Sequence, residues 1–109
     1  MSFPLLRGPR AAACALVLAI AGHGLPAAAA DDSAQMVGGI DAVVFVCGPI
    51  DAKSAKTGQA LLERFVAERK LDLKQLRQAP GYQPIYNSEV NRMLSLSPKD
   101  KLAACQSAW

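Results

Sequence analysis

The residues of this chain whose types and spacing could do chemistry are few: two cysteines far apart, a serine between lysines, and scattered carboxylates. Cys47 and Cys105 form no Cys-x-x-Cys motif, so they suit a structural disulfide rather than a thioredoxin-type redox pair. Free thiols or an intermolecular bridge are the alternatives. Ser54 lies beside Lys53 and two residues before Lys56, which supplies the atoms of a lysine-activated serine, although nothing in the spacing demands that use. The single histidine, His23, falls in a segment expected to be removed, which leaves no histidine for a triad, a general base or a metal site. Glu63, Glu68 and Asp72 are embedded in basic helical sequence and read as solvated charge. The run Gly48-Pro49-Ile50-Asp51-Ala52-Lys53-Ser54 misses the phosphate-binding loop: its glycine-to-lysine spacing is one residue short, and Ala52 stands at the second glycine. No cofactor and no metal are therefore expected, and no catalytic residue is assigned.

The compartment follows from the N-terminus. Arg7 and Arg10 precede an apolar run, Ala11 to Gly22, and then alanines ending at Ala30, the three-part layout of a secretory signal peptide with Ala28-x-Ala30 at its end. The run is shorter than the roughly 20 residues that a permanent transmembrane helix takes. Residues 1–30, with Cys14 and His23, are thus read as a signal peptide, and the mature protein as periplasmic or secreted with no stable membrane insertion. What remains, 109 minus 30 or 79 residues, is at a size where a hydrophobic core alone gives about 3–5 kcal/mol. Such a domain wants a staple. In an oxidising compartment the only intramolecular pairing is Cys47 with Cys105, whose closed loop is worth up to about 4 kcal/mol in the chain-entropy picture.

Five elements must position these residues. Asp31 to Gly39 is polar and small and contains Gly38-Gly39, so residues 31–39 are expected to be a flexible mature N-terminus. Residues 40–109 are expected to form one helical domain. From Ile40 to Cys47 the valine density suits a strand, but Met36, Ile40, Val43, Val44 and Cys47 fit one helix face, and no second β-rich run exists to pair with. Gly48-Pro49 stops that helix. Asp51 caps the next, which runs to about Lys70 with Ala55, Gly58, Leu61, Leu62, Phe65 and Val66 along one stripe; Gly58 marks a close approach. Asp72 caps a short helix holding Leu73 and Leu76. After the Pro80-Gly81 and Pro84 punctuation, helix resumes near Pro84 with Tyr86, Val90, Met93 and Leu94 as its apolar face. Ser97-Pro98-Lys99-Asp100 reads as a capped helix start, and the helix it opens places Leu102, Cys105 and Trp109 toward the core. The fold class predicted is all-α, a small bundle of four to five short helices closed by one disulfide.

Charge directs the functional expectation. Without Arg7 and Arg10 there are ten basic residues against nine acidic, a balance of +1 that gives no nucleic-acid signature. Between Lys53 and Arg77 seven basic residues face three acidic ones, a local +4. The layout resembles that of small helical periplasmic proteins with one disulfide, such as acid-stress chaperones and some immunity proteins; the likeness covers the signal peptide, the helical pattern and the cysteine pair, and carries no site residue. The expected function is a non-enzymatic protein-binding module, of an interaction, inhibitor or immunity-like kind, with a periplasmic or cell-envelope protein as partner. An acid-responsive periplasmic chaperone and a small hydrolase with a Ser/Lys-type site are the alternatives. The candidate partner-binding residues are Lys74, Arg77 and Tyr82, around a proline-stiffened connection in which Tyr82 is expected to be exposed and Tyr86 to pack inward.

Overall fold

The computed structural model describes residues 27–109, which form five helices and, among them, no strand: α1, Ala27–Cys47; α2, Ala52–Arg69; α3, Leu73–Gln78; α4, Tyr82–Leu94; and α5, Pro98–Gln106. The signal-peptide expectation falls on residues outside this range except for its last four, Ala27–Ala30, which are the first turn of α1. No helix among the described residues is long and apolar enough to cross a membrane.

The local chemistry of each boundary explains where the helices begin and end. Asp51 accepts from the Ser54 amide, Asp72 from the amides of Lys74 and Gln75, and Ser97 from the Asp100 amide with Pro98 in the first turn, so three helices have the N-caps their sequences announce. Gly48-Pro49 ends α1 as expected, and the amides of Ile50 and Asp51 both donate to the Cys47 carbonyl. Helix α4 starts at Tyr82, two residues before Pro84.

Helix α1 is the element the others pack on; it touches α2, α3, α4 and α5. One core cluster joins Ala34 and Val37 of α1 to Leu62, Leu76 and Tyr82. A second gathers Val46, Cys47, Met93 and Cys105 around the disulfide, which links Cys47 to Cys105 with Cα atoms 5.6 Å apart. Valine density had set a strand against a helix in residues 40–47; the helix prevails because α1 can bury β-branched residues against four neighbours at once.

Two expectations are corrected here. Residues 31–39 are not a flexible arm: they are helical, and Ser33, Ala34, Val37 and Gly38 are buried. Gly38 is a packing device rather than a hinge, since a Cβ there would lie 2.7 Å from the carbonyl oxygen of Tyr82, and its absence lets the backbone of α4 approach α1. The apolar faces also shift in detail. Met36 and Leu94 are half-exposed, and Trp109 lies beyond the end of α5 with 39% of its surface exposed, while Cys105 is fully buried. Gly58 does mark a close approach: a Cβ would overlap Trp109 Cζ2 and lie 2.8 Å from Val44 Cγ2.

Candidate functional site

Three places bring polar or exposed side chains together, and the first contains two of the three residues singled out from sequence. Arg77 on α3 reaches the carboxylate of Asp41 on α1 with two parallel bonds, Nε to Oδ2 at 2.8 Å and Nη2 to Oδ1 at 3.0 Å. Tyr82, the first residue of α4, donates its hydroxyl to the same Oδ2 at 2.7 Å. One carboxylate thus pins three helices. Tyr82 is only 8% exposed, and its ring stacks on that of Tyr86 with centroids 5.6 Å apart. Burial first, and then the hydrogen bond to Asp41, push its phenol well above the usual tyrosine range; the hydrogen bond to Asp41 likewise raises the Arg77 guanidinium. The expectation of an exposed Tyr82 is therefore overturned, because α4 starts two residues earlier than expected and turns Tyr82 into the bundle. Lys74 is exposed and takes no part in the cluster. Asp41 was not singled out from sequence. Its signal was there: a lone carboxylate inside the apolar stretch Ile40 to Cys47, which has to be either exposed or paired.

The second place is Ser54. It is buried; its hydroxyl donates to the carbonyl of Cys105, and it accepts from the indole Nε1 of Trp109 at 3.0 Å. Neither Lys53 nor Lys56 is among its hydrogen-bond partners, and both lysines are exposed. A shallow cleft beside it is lined by Asp51, Lys53, Thr57, Gln106 and Trp109. Ser54 thus ties α5 and Trp109 to α2.

The third place is apolar. Along the seam of α1 and α2 runs a groove of about 300 Å³ walled by Met36, Ile40, Leu61 and Phe65, with Arg64, Glu68 and Arg69 at its edge. The guanidinium of Arg69 lies over the Phe65 ring, 4.8 Å from its centroid. Elsewhere Phe45 stands 60% exposed beside Tyr86, at a centroid distance of 6.3 Å. Among the described residues no group of three or more His, Cys, Asp or Glu side chains is placed to share a metal ion. Compared with known proteins, the chain matches no family model, no curated protein and no solved structure.

Proposed function

We propose that this protein is a non-enzymatic protein-binding module of an oxidising compartment, the periplasm or the extracellular space. The observation that supports it most is on α1. This helix is central to the bundle, yet it leaves a large apolar side chain half or more exposed on two flanks: Met36 at 50% and Phe45 at 60%. At 100° per residue, nine positions put these two on opposite sides of the helix. Meanwhile the polar groups with chemical potential, Ser54, Asp41 and Tyr82, are turned inward and hydrogen-bonded to one another or to the backbone. Met36 shares an apolar groove with Ile40, Leu61 and Phe65, and contiguous apolar surface of this kind, rather than single exposed side chains, is what supports a protein-binding face. The buried Cys47–Cys105 bond is compatible with an oxidising compartment.

Photo-crosslinking in cells tests this proposal. A benzoylphenylalanine at Met36, Phe45 or Leu94 is expected to give a discrete adduct with another protein, and one at Gln59 or Gln106, which are exposed and polar, is expected to give none. Equal crosslinking from the polar positions, or none from the apolar ones, overturns the module. Reproducible hydrolytic turnover abolished by Ser54→Ala would favour the small hydrolase, and holding of an aggregating client near pH 3 but not pH 7 would favour the acid-responsive chaperone.

A further inference from the structure

We propose that the groove between α1 and α2 binds the apolar face of an acidic amphipathic helix of a partner protein; this rests on the protein-binding role above and names the site and the chemistry of its occupant.

Shape sets the first requirement. Each wall is an i, i+4 pair, Met36 with Ile40 on α1 and Leu61 with Phe65 on α2. One helical turn rises about 5.4 Å, so the groove takes two apolar side chains one turn apart on a partner helix. Ile40 and Phe65 are already half-buried against the core cluster of Ala34, Val37 and Leu62, which makes the floor rigid. Met36, half-exposed, is the adaptable lip, because an unbranched thioether re-packs around whatever shape arrives.

Charge sets the second requirement. Arg64 and Arg69 are exposed, and among the described residues neither has a carboxylate within salt-bridge distance; the ion pairs there are Arg77 with Asp41 and Arg92 with Glu89. Glu68 stands between the two arginines and leaves the edge net positive. The same sign continues along the chain, with six basic and three acidic residues from Lys53 to Lys74, Arg77 being paired with Asp41. A carboxylate one turn from each apolar anchor would meet these guanidinium groups, and a lysine in its place would be repelled. Arg69 adds a geometric point. Lying over Phe65, it shields the ring in the free protein, and a partner carboxylate that draws the guanidinium outward uncovers the ring for an aliphatic side chain.

The test uses the oxidised protein with its methionine methyl groups labelled for NMR. The probe is a synthetic helix-favouring peptide with leucines at i, i+4 and glutamates on the flanks; a second peptide carries lysine at every glutamate. Met93, 1% exposed in the other core cluster, is the internal control. The acidic peptide is expected to shift the Met36 methyl saturably while Met93 stays in place, and the lysine peptide to leave Met36 unmoved. Substituting both arginines, Arg64→Gln with Arg69→Gln, is expected to weaken binding at least tenfold, with the helical circular dichroism unchanged. The groove assignment is overturned by no Met36 shift at millimolar acidic peptide, by equal binding of the lysine peptide, by undiminished binding in the double variant, or by anionic lipid vesicles shifting Met36 when the peptide does not. Crosslinks at Phe45 or Leu94 without any at Met36 would leave the protein-binding role standing and remove this groove from it; crosslinks nowhere would remove both.

Discussion

The indole Nε1 of Trp109 donates to the backbone carbonyl of Ser54 at 2.8 Å, across 55 positions of sequence, and Ser54 in turn donates its hydroxyl to the carbonyl of Cys105. The Cys105 carbonyl is one of the last four of α5, which have no acceptor role inside the helix. Ser54 fills that vacancy. The three residues form a clasp that holds the C-terminal helix on α2 independently of the disulfide beside it. Replacing Ser54 with alanine is expected to destabilise the protein by about 1–2 kcal/mol, since a buried acceptor loses its donor. Thermal unfolding gives the loss, and a red-shifted tryptophan emission shows whether Trp109 is released; an unchanged midpoint and emission would mean the clasp holds nothing.

Gly58 tests the same contact from below. In an exposed helix Gly→Ala adds about 1 kcal/mol of stability through helix propensity. Here the added methyl would overlap the Trp109 ring and press on Val44. Gly58→Ala is therefore expected to forfeit that gain and displace the indole, and a midpoint raised by the full propensity increment with unaltered fluorescence would contradict the packing.

The starts of α2, α3 and α5 were legible because their causes are local, whereas those of α1 and α4, which carry no side-chain cap in the sequence, lie earlier than predicted. Asp51, Asp72 and Ser97 cap with their own side chains, so the sequence within four residues contains the whole reason. The disulfide was legible by elimination. Asp41 and Tyr82 were not, because their roles arise only where α1, α3 and α4 meet, 41 positions apart in sequence. Gly38 misled for a similar reason: a glycine pair that reads as flexibility in isolation is a close approach once Tyr82 is seen beside it. Trp109 lies three residues past the end of its helix, where periodicity no longer applies.

Lys70 ends α2 in the left-handed region, with φ 53° and ψ 46°. Its amide donates to the Ala67 carbonyl and the next amide, of Leu71, to Val66, the bond pattern of a Schellman cap at the position where glycine is usual. A side chain there costs about 1–2 kcal/mol, part of which glycine returns through the greater freedom of its unfolded chain. Lys70→Gly is expected to raise stability by about 0.5–1 kcal/mol in urea unfolding. A loss would show that the lysine side chain holds a contact that outweighs the strain.

Both cysteines are fully buried, so the disulfide is closed to reductant while the fold is intact. Native protein is expected to show no titratable thiol at Cys47 or Cys105. Reduction after unfolding, followed by refolding without oxidant, is expected to lower the midpoint by up to about 15–30 °C, from a loop worth up to about 4 kcal/mol and some 4–8 °C per kcal/mol in a domain of this size. Two thiols titrating in the folded protein would refute the staple.

Tyr82 gives the fold an alkaline limit. Its phenol starts from an ordinary value of 10.0 and is raised in the folded state by burial and by the Asp41 carboxylate it bonds. Because the folded value is the higher one, the native state keeps a proton that the unfolded state has lost, and the stabilisation is present in full below pH 10 and drains away as pH rises from there toward the folded value. Tyr82→Phe removes the titrating group and its hydrogen bond, at a cost of about 1 kcal/mol near neutrality. The gap between the wild-type and variant unfolding free energies is therefore expected to narrow steadily above pH 10. Parallel curves through that range would show that the phenol is not held neutral by the Asp41 cluster.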